Sequence, residues 1–224
     1  NVRECETMKQ ISNDTVVKLV VAHYRRALPL FLKIKSLLAE NYIGVVKQVN
    51  IKMLKQPSKN CGSTDNWRVF PELAGGGLFY DLAPHQLDLV FFYFGDAIRY
   101  QGKSVNKAGL YPAEDSVKGT MLLNNNILFN GKWDFTVSAE LEKDVFEIVG
   151  EDGKISFPVF GNDITIEKNG VEEIIHFDPP MHNQQNLIDQ VVSYFLGNGV
   201  NPCSAMDALQ SMRVMEAFVY GANK

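Results

Sequence analysis

"SVKGTMLLNNNILFNGKWDFTV" (residues 116–137) contains two runs of β-branched, aliphatic and aromatic residues on either side of three asparagines. Asparagine adopts positive φ more readily than other residues with a side chain, so the stretch at 124–126 predicts a turn. The flanking runs, Ser116–Leu123 and Ile127–Val137, are then expected to pair as an antiparallel hairpin.

The same pattern extends on both sides of this hairpin. Further turns are predicted at "EDG" (151–153) and "NG" (169–170). Side chains from Val45 to Leu54 alternate between apolar and polar, which indicates a strand with one solvent-exposed face. The remaining predicted strands are Arg99–Lys107, Val145–Val149, Lys154–Phe157, Ile164–Glu167 and Glu173–Phe177. Together they predict a large, mostly antiparallel sheet with meander order.

Helical spacing of apolar residues predicts four further elements. They cover residues 2–12, 30–44, about 183–196, and 204–220, the last opened by the capping pair Ser204 and Asp207. The run "VVKLVVAHYRR" from Val16 is predicted to be a buried strand, because it is too short and too apolar for a surface helix. A helix followed by a buried strand is typical of the end of a parallel α/β layer.

Composition limits the partners of this chain. With 46% hydrophobic and 21% charged residues, a net charge of −4 and a pI near 5.6, it is a globular sequence without the basic clusters that nucleic acids or anionic membranes attract. Three cysteines without a CxxC pair predict reduced thiols. No apolar run approaches the length of a membrane span. The first residues also lack the order of a secretory signal peptide, in which a charged segment precedes an apolar one. We therefore expect no membrane or nucleic-acid partner and a cytoplasmic location.

"GGGLFYDLAPHQLDLVFFYFG" (residues 75–95) carries the candidate chemistry. Asp81, His85 and Asp88 share one helix face at i, i+4 and i+7. Because Pro84 is disfavoured deep in a helix, the helix is expected to begin near Leu82 with Asp81 at its cap. The three glycines do not form GxGxxG, so they predict a close backbone approach or positive φ rather than a phosphate loop.

Two interpretations of this face remain open. Structurally, Asp81 caps the helix, His85 is a hydrogen-bonded core residue and Asp88 pairs with a nearby arginine. Functionally, His85 held by a carboxylate transfers a proton near neutral pH. A metal site joining Asp81 and His85 to His23, His176 or His182 has no supporting ligand motif, so no metal is expected.

Two shorter stretches add candidate binding residues. "NWR" (66–68) lies in a long loop, 56–74, where Trp67 and Arg68 either bind a hydroxyl-rich or anionic ligand or, in the case of Trp67, pin the loop to the core. The adjacent pair Arg25 and Arg26 ends the predicted strand. Because alternate strand side chains face opposite ways, one arginine is expected in a cleft and the other in solvent.

"AHYRRALP" (22–29), "NYIGVVKQV" (41–49), "NWR" and "GGGLFYDLAPHQLD" (75–88), in this order, resemble the Gfo/Idh/MocA family of NAD(P)-dependent enzymes, the glucose-fructose oxidoreductase and inositol dehydrogenase group. The resemblance implies an α+β domain with an open, mostly antiparallel sheet and helices on one face, like the C-terminal domain of dihydrodipicolinate reductase. It implies catalytic roles for His85 and Asp81. It further implies substrate contacts at Arg25, Trp67, Arg68 and Asp88, and cofactor contacts at Gly76 and Gly77.

The sequence departs from the family pattern near its start. It has neither the glycine-rich dinucleotide fingerprint nor the Glu-Lys-Pro motif whose lysine works with the histidine. Residues 1–24 are therefore expected to be a remnant of the dinucleotide-binding domain, and 25–224 the substrate-binding and oligomerisation domain. We expect NAD or NADP in the full-length protein, none bound to this fragment, and no turnover by the fragment alone.

The resemblance leaves three functions in view. The first is oxidation of a sugar or polyol by a full-length dehydrogenase. The others are an NAD-dependent glycosidase of the same fold and a non-catalytic scaffold in which Asp81 and His85 are relics. In each case a homodimer or homotetramer through the open sheet face is expected.

Overall fold

The computed structural model describes residues 1–61, 63 and 66–221 and has an α+β fold. Its helices are α1 (Val2–Thr15), α2 (Pro29–Ala39), the short α3 (Pro71–Ala74), α4 (Leu78–Phe94), α5 (Gln185–Phe195) and α6 (Ala205–Tyr220). Short 3-10 turns lie at Tyr24–Ala27, Trp67–Val69, Asn124–Asn126 and Ala139–Leu141. No helix among the described residues is long and apolar enough to cross a bilayer.

Eight strands form one sheet. They are β1 (Val46–Leu54), β2 (Ala97–Val105), β3 (Ser116–Leu123), β4 (Leu128–Asp134), β5 (Lys143–Gly150), β6 (Gly153–Phe157), β7 (Asp163–Lys168) and β8 (Val171–His176). Their order is β2-β3-β4-β1-β5-β6-β7-β8. The sheet is two antiparallel meanders joined by β1, which runs parallel to β4 and antiparallel to β5. The prediction of a mostly antiparallel sheet is confirmed. The prediction of a single meander is wrong, because β1 lies between the two meanders.

The apolar face of the sheet lies against helices α2, α4 and α6. Aromatic pairs mark each contact: Phe31–Phe157 for α2, Phe79–Trp133 for α4 and Phe129–Phe218 for α6, with ring centroids 5.9, 4.9 and 6.4 Å apart. The indole N–H of buried Trp133 also donates to Gln86 Oε1 of α4 at 2.6 Å. The predicted fold class, an open sheet with helices on one face, is therefore confirmed.

Two of three glycines in register let α6 approach the sheet. Gly102, Gly119 and Gly131 lie side by side on β2, β3 and β4. A Cβ on Gly102 would come within 2.6 Å of the Phe218 backbone, and one on Gly119 would overlap the Phe218 ring. The absence of side chains at Gly102 and Gly119 creates the space that Phe218 fills, whereas Gly131 leaves room for the Trp133 ring.

The predicted buried strand after α1 is wrong. Val16 adopts φ 55° and is 88% exposed, and residues 17–23 are irregular. This segment runs beside the loop before α6 instead, where Val21 N–H donates to the Cys203 carbonyl at 3.0 Å. A β-branched run becomes a buried strand only where neighbouring strands accept its hydrogen bonds, and the described residues provide none here.

Helix α4 starts earlier than predicted. It begins at Leu78, with Gly77 as its N-cap, and contains Pro84 in its interior. Proline removes one backbone hydrogen bond, but the buried side chains that α4 places against the sheet outweigh this local cost. The expected positive φ ahead of the helix is confirmed at Gly75 (80°), as it is in the asparagine turn at Asn125 and Asn126.

The uncovered face of the sheet is mixed and not uniformly apolar. Most of the Val, Ile and Phe side chains of the strands lie beneath the helices, whereas Leu128 and Ile174 are more than half exposed on the uncovered face. The uncovered face also carries a lysine row, defined as Lys103, Lys118, Lys132 and Lys52, which are direct neighbours across β2, β3, β4 and β1.

Replacing Gly119 by alanine should destabilise the fold by about 1–3 kcal/mol, because the added methyl group overpacks against the fully buried Phe218 ring. Urea denaturation measures the change in the free energy of unfolding. Thr120→Ala, at the next position on the exposed side of β3, is the matched control and should change it by less than about 0.5 kcal/mol. Equal effects would show that α6 does not depend on this glycine.

Candidate active site

Three side chains on α4 were predicted to act together, and the structure gives them different surroundings. The side chain of Asp81 is half exposed, and its Oδ2 lies 3.4 Å from the Arg68 Nε. His85 is partly buried. Asp88 is fully buried. Only Asp81 and His85 are accessible to a ligand.

His85 lies in a ring of aromatic and basic side chains. Its imidazole makes edge contacts with His23, Tyr24 and Phe160, at centroid distances of 6.3, 5.5 and 6.0 Å. The Nδ1 atom is buried and has no hydrogen-bond partner in the protein. The predicted hydrogen bond from the imidazole to a carboxylate is therefore not formed at Nδ1, and Asp81 contacts Arg68 instead.

The surroundings of His85 keep its ring neutral. Burial, followed by the electrostatic effects of Arg25 and His23, lowers the pKa of His85 to about 4. Burial also lowers the pKa of His23, the second imidazole of this group. At neutral pH both rings are uncharged, so His85 is able to accept a proton.

Both arginines of "YRR" are buried, so the expectation that one faces solvent is wrong. They lie in the 3-10 turn Tyr24–Ala27 rather than on a strand, so their side chains do not alternate between two faces. The Arg25 guanidinium packs over the Phe160 ring at 4.3 Å. Arg26 makes a bidentate ion pair with Asp88, at 2.7 and 2.8 Å.

The Arg26 contact corrects the role predicted for Asp88. Both carboxylate oxygens of Asp88 are taken by one guanidinium, and its side chain is 1% exposed. A substrate cannot reach a carboxylate so placed. Asp88 is the structural partner of a nearby arginine, the alternative that the sequence left open.

Trp67 and Arg68 lie beside Asp81. Trp67 is 50% exposed, so it does not pin the loop to the core, and the Arg68 guanidinium stacks over its indole at 4.9 Å. The Arg68–Asp81 contact places this pair at the start of α4. Part of the predicted loop 56–74, at 62, 64 and 65, lies outside the described residues.

The space beside Gly76 and Gly77, before α4, is occupied by other residues of the protein. A Cβ on Gly76 would overlap the Tyr80 ring, and one on Gly77 would lie 2.7 Å from the Glu114 carbonyl oxygen. The Gly77 N–H donates to Glu114 Oε1 at 3.0 Å, so this amide is not free for a phosphate. The geometry argues against the cofactor contacts predicted for Gly76 and Gly77.

Sequence reasoning missed Tyr24, Asp144 and Phe160, and treated His23 only as a possible metal ligand. Asp144 lies on β5, and its Oδ2 accepts the Phe160 N–H at 2.7 Å. No spacing rule connects these positions with His85, because the sheet brings them together from distant parts of the chain. Within the described residues, no group of three or more His, Cys, Asp or Glu could hold a metal ion.

A groove of about 1260 Å³ lies elsewhere, between α6 and strands β2–β4. It is lined by none of the residues around His85. Its size alone assigns it no chemistry, whereas the His85 group combines a neutral base with buried polar atoms that have no protein partner.

Comparison with known proteins identifies the family. The sequence model described as the GFO/IDH/MocA C-terminal domain matches residues 31–156. This chain belongs to the GFO/IDH/MocA family of oxidoreductases. The sequence is also 39% identical over 220 residues to "Oxidoreductase P35" of Formosa agariphila, covering 97% of this chain and 67% of that protein.

Solved structures with this fold include aldose-aldose oxidoreductase from Caulobacter crescentus in complex with glycerol, with a TM-score of 0.83 and 18% identity over 97% of this chain and 65% of that one. Levoglucosan dehydrogenase in complex with NADH and levoglucosan gives a TM-score of 0.82 and 18% identity over 99% and 68%. The GFO/IDH/MocA chain described here thus spans about two thirds of the length of its relatives.

Asp88→Asn in this GFO/IDH/MocA domain should lower the free energy of unfolding by about 3 kcal/mol, because it leaves the buried Arg26 charge without its carboxylate. Asp81→Asn makes the same chemical change about two helical turns earlier on the same face of α4, at a half-exposed ion pair. It should cost less than about 1 kcal/mol. Urea denaturation compares the two, and an equal loss would contradict the structural role of Asp88.

Proposed function

We propose that the full-length protein is an NAD(P)-dependent oxidoreductase that oxidises a hydroxyl group of a sugar or polyol, with His85 as the proton acceptor. The observation that carries the proposal is the state of His85: its imidazole is neutral, partly exposed, and has an Nδ1 without a protein partner. A base of this kind beside hydrogen-bonding side chains is what oxidation of a carbinol requires.

In the proposed reaction, His85 takes the proton of the substrate hydroxyl. Bound NAD or NADP would supply the hydride acceptor for the carbinol carbon. Arg68 and Asp81 provide a donor fork and an acceptor at the start of α4, and exposed Trp67 offers a flat surface for the apolar face of a sugar ring. The ring contacts of His23, Tyr24 and Phe160 exclude water from one side of the base.

The described residues of this chain supply the proton-transfer side of such a site. They do not supply a cradle for the cofactor pyrophosphate, because the amide of Gly77 is bound to Glu114 and the glycine run has no GxGxxG pattern. The printed descriptions of relatives support the cofactor class: levoglucosan dehydrogenase and the Bordetella pertussis dehydrogenase WlbA were each solved with NADH.

In the full-length protein, His85→Ala should reduce kcat for hydride transfer by about 100-fold or more while leaving NAD binding intact. The control is His176→Ala, which removes an exposed imidazole on β8 and should leave turnover unchanged. Absorbance of the reduced cofactor, measured against a panel of sugars and polyols, gives both rates. Wild-type turnover by His85→Ala would eliminate the proposed role.

The pH dependence has a defined sign. Because the His85 pKa is lowered to about 4, the ring is already unprotonated at neutral pH, and kcat/KM should stay constant from about pH 6 to pH 8 as far as this group is concerned. It should fall as the pH approaches 4 and the base becomes protonated. A fall centred near pH 6.5 would mean that His85 is not desolvated in the working enzyme.

The alternatives predict different products. A glycosidase of the same fold would release an aglycone without net accumulation of reduced cofactor. A scaffold would release nothing and would be unaffected by His85→Ala. Product analysis of the same panel by chromatography separates the three functions.

We also propose that the protein forms a homodimer or homotetramer through the uncovered face of its sheet. The support is electrostatic. One half of this face carries the lysine row. The other half carries Glu147, Glu167 and Glu172 on β5, β7 and β8, with Lys154 of β6 paired to Glu147 and Glu167, so its side chains named here have a net negative charge. A two-fold axis that lies between the two faces and runs parallel to the strands would place the lysine row of each copy against the other half of the second copy.

Lys118→Glu should weaken this self-association by about tenfold or more, because it reverses one charge of the lysine row in both copies. It should not unfold the monomer, since it relieves repulsion between directly opposed lysines. Lys33→Glu, an equal charge change on exposed α2, is the control. Sedimentation velocity at several concentrations measures the association, and an unchanged profile for Lys118→Glu would exclude this face.

A further inference from the structure

The loop of residues 111–115 lies just before β3 and contacts two elements of the candidate site. One element is the start of α4, which carries Asp81, and the other is the 3-10 turn Trp67–Val69, which carries Arg68. The proposed proton transfer uses none of the residues in this loop. Its contacts indicate that it sets where the two elements lie.

Glu114 attaches the loop to the first turn of α4. Its Oε1 accepts the N–H of Gly77, the N-cap residue of the helix, at 3.0 Å. The backbones also approach closely, because a Cβ on Gly77 would lie 2.7 Å from the Glu114 carbonyl oxygen and 2.9 Å from the Ala113 Cβ. The last glycine of the run 75–77 therefore lets the loop lie directly against the start of the helix.

The same loop supports the turn that carries Arg68. Three buried side chains form a small core separate from the main one: Tyr111, Ala113 and Val69. Leu78, the first residue of α4, packs against this small core. The turn and the helix thus share one support, which lies beside the contact of 3.4 Å between Arg68 Nε and Asp81 Oδ2.

Asp115 anchors the loop to the sheet. Its side chain is buried, and its two carboxylate oxygens accept the N–H groups of Lys107 and Ala108, each at 2.7 Å. Its backbone N–H donates to the carbonyl of Val105, the last residue of β2, at 3.2 Å. Because Asp115 is fixed at three points, the adjacent Glu114 holds α4 from a defined position.

The middle of α4 has attachments of its own. Asp88 is held by its bidentate ion pair, and Gln86 is held by a hydrogen bond from β4. His85 lies beside both of these residues in the sequence. Loss of the Glu114 contact should therefore displace Asp81 in the first turn more than the imidazole of His85.

We infer that Glu114 is a positioning residue for substrate binding. Through Gly77 it fixes the first turn of α4, so that Asp81 and Arg68 present one arrangement of acceptor and donor to the sugar. This inference rests on the proposed function and deepens it. A merely stabilising role would lower the free energy of unfolding without changing substrate affinity in the folded protein.

Three variants of the full-length protein test the contact from both sides. Glu114→Ala removes the acceptor, whereas Glu114→Gln keeps an amide oxygen that can accept the same N–H. Gly77→Ala pushes against the loop, at a φ of −99° that is open to alanine. Glu173→Ala, which removes an exposed carboxylate on β8, is the matched control. Both kcat and KM are measured at neutral pH with the sugar or polyol that the wild type oxidises fastest.

Glu114→Ala and Gly77→Ala should each raise KM for the sugar about tenfold and change kcat by less than about threefold, because His85 keeps its place. Glu114→Gln should recover most of the wild-type KM. In an Asp81→Asn background, Glu114→Ala should raise KM further by no more than about twofold, because the residue through which it acts is already altered. Glu173→Ala should behave as the wild type.

Three results would overturn the inference: a KM increase that is the same with and without Asp81, a loss confined to kcat, or a Glu114→Gln variant as impaired as Glu114→Ala. If the wild type oxidises no sugar or polyol, the proposed function fails by itself. Calorimetric titration of the same compounds then tests the positioning role, which stands only if Glu114→Ala weakens binding and Glu114→Gln restores it. Binding of none of them to the wild type would overturn both proposals.

Discussion

The buried ion pair between Arg26 and Asp88 is the contact on which the site depends. It joins the 3-10 turn Tyr24–Ala27 to the middle of α4, and Arg26 also lies 3.4 Å from Asp207 at the start of α6. Because Arg26 is fixed in this way, its neighbour Arg25 is directed toward Phe160 and His85. Two charges withdrawn from water stabilise little by themselves, but they determine one arrangement of three segments that are far apart in sequence.

The two faces of the sheet differ in what covers them and in the side chains that they carry. The apolar face is covered by α2, α4 and α6, and the glycines of β2 and β3 let Phe218 reach the strand backbone. The Asp144 end of β5 and the loop with Phe160 extend this layer toward His85. On the uncovered face, the first meander and β1 carry the lysine row, and the second meander carries Glu147, Glu167 and Glu172 together with Lys154. The proposed proton transfer and the proposed self-association thus use different surfaces.

Local signals predicted the elements well. The strands β3 and β6, the asparagine turn and the capping pair of α6 depend on side-chain alternation, positive φ and a hydrogen bond three residues apart, all of which act within a few residues. The segment after α1 failed because strand formation needs partners that its own residues cannot supply. The start of α4 failed because the rule against Pro84 is local, whereas the burial that overrides it comes from the sheet.

The sequence by itself determined the fold class, the family and the position of Asp81 and His85 on one helix, because periodicity and short motifs are properties of neighbouring residues. Only the tertiary structure decided which groups surround the base. Arg25 lies 60 residues before His85 and Asp144 lies 59 after it, and their meeting at Phe160 depends on the order of the strands and on a buried ion pair. It also decided that Asp88 is structural, because its burial and its partner are set by packing between segments that no spacing along the chain connects.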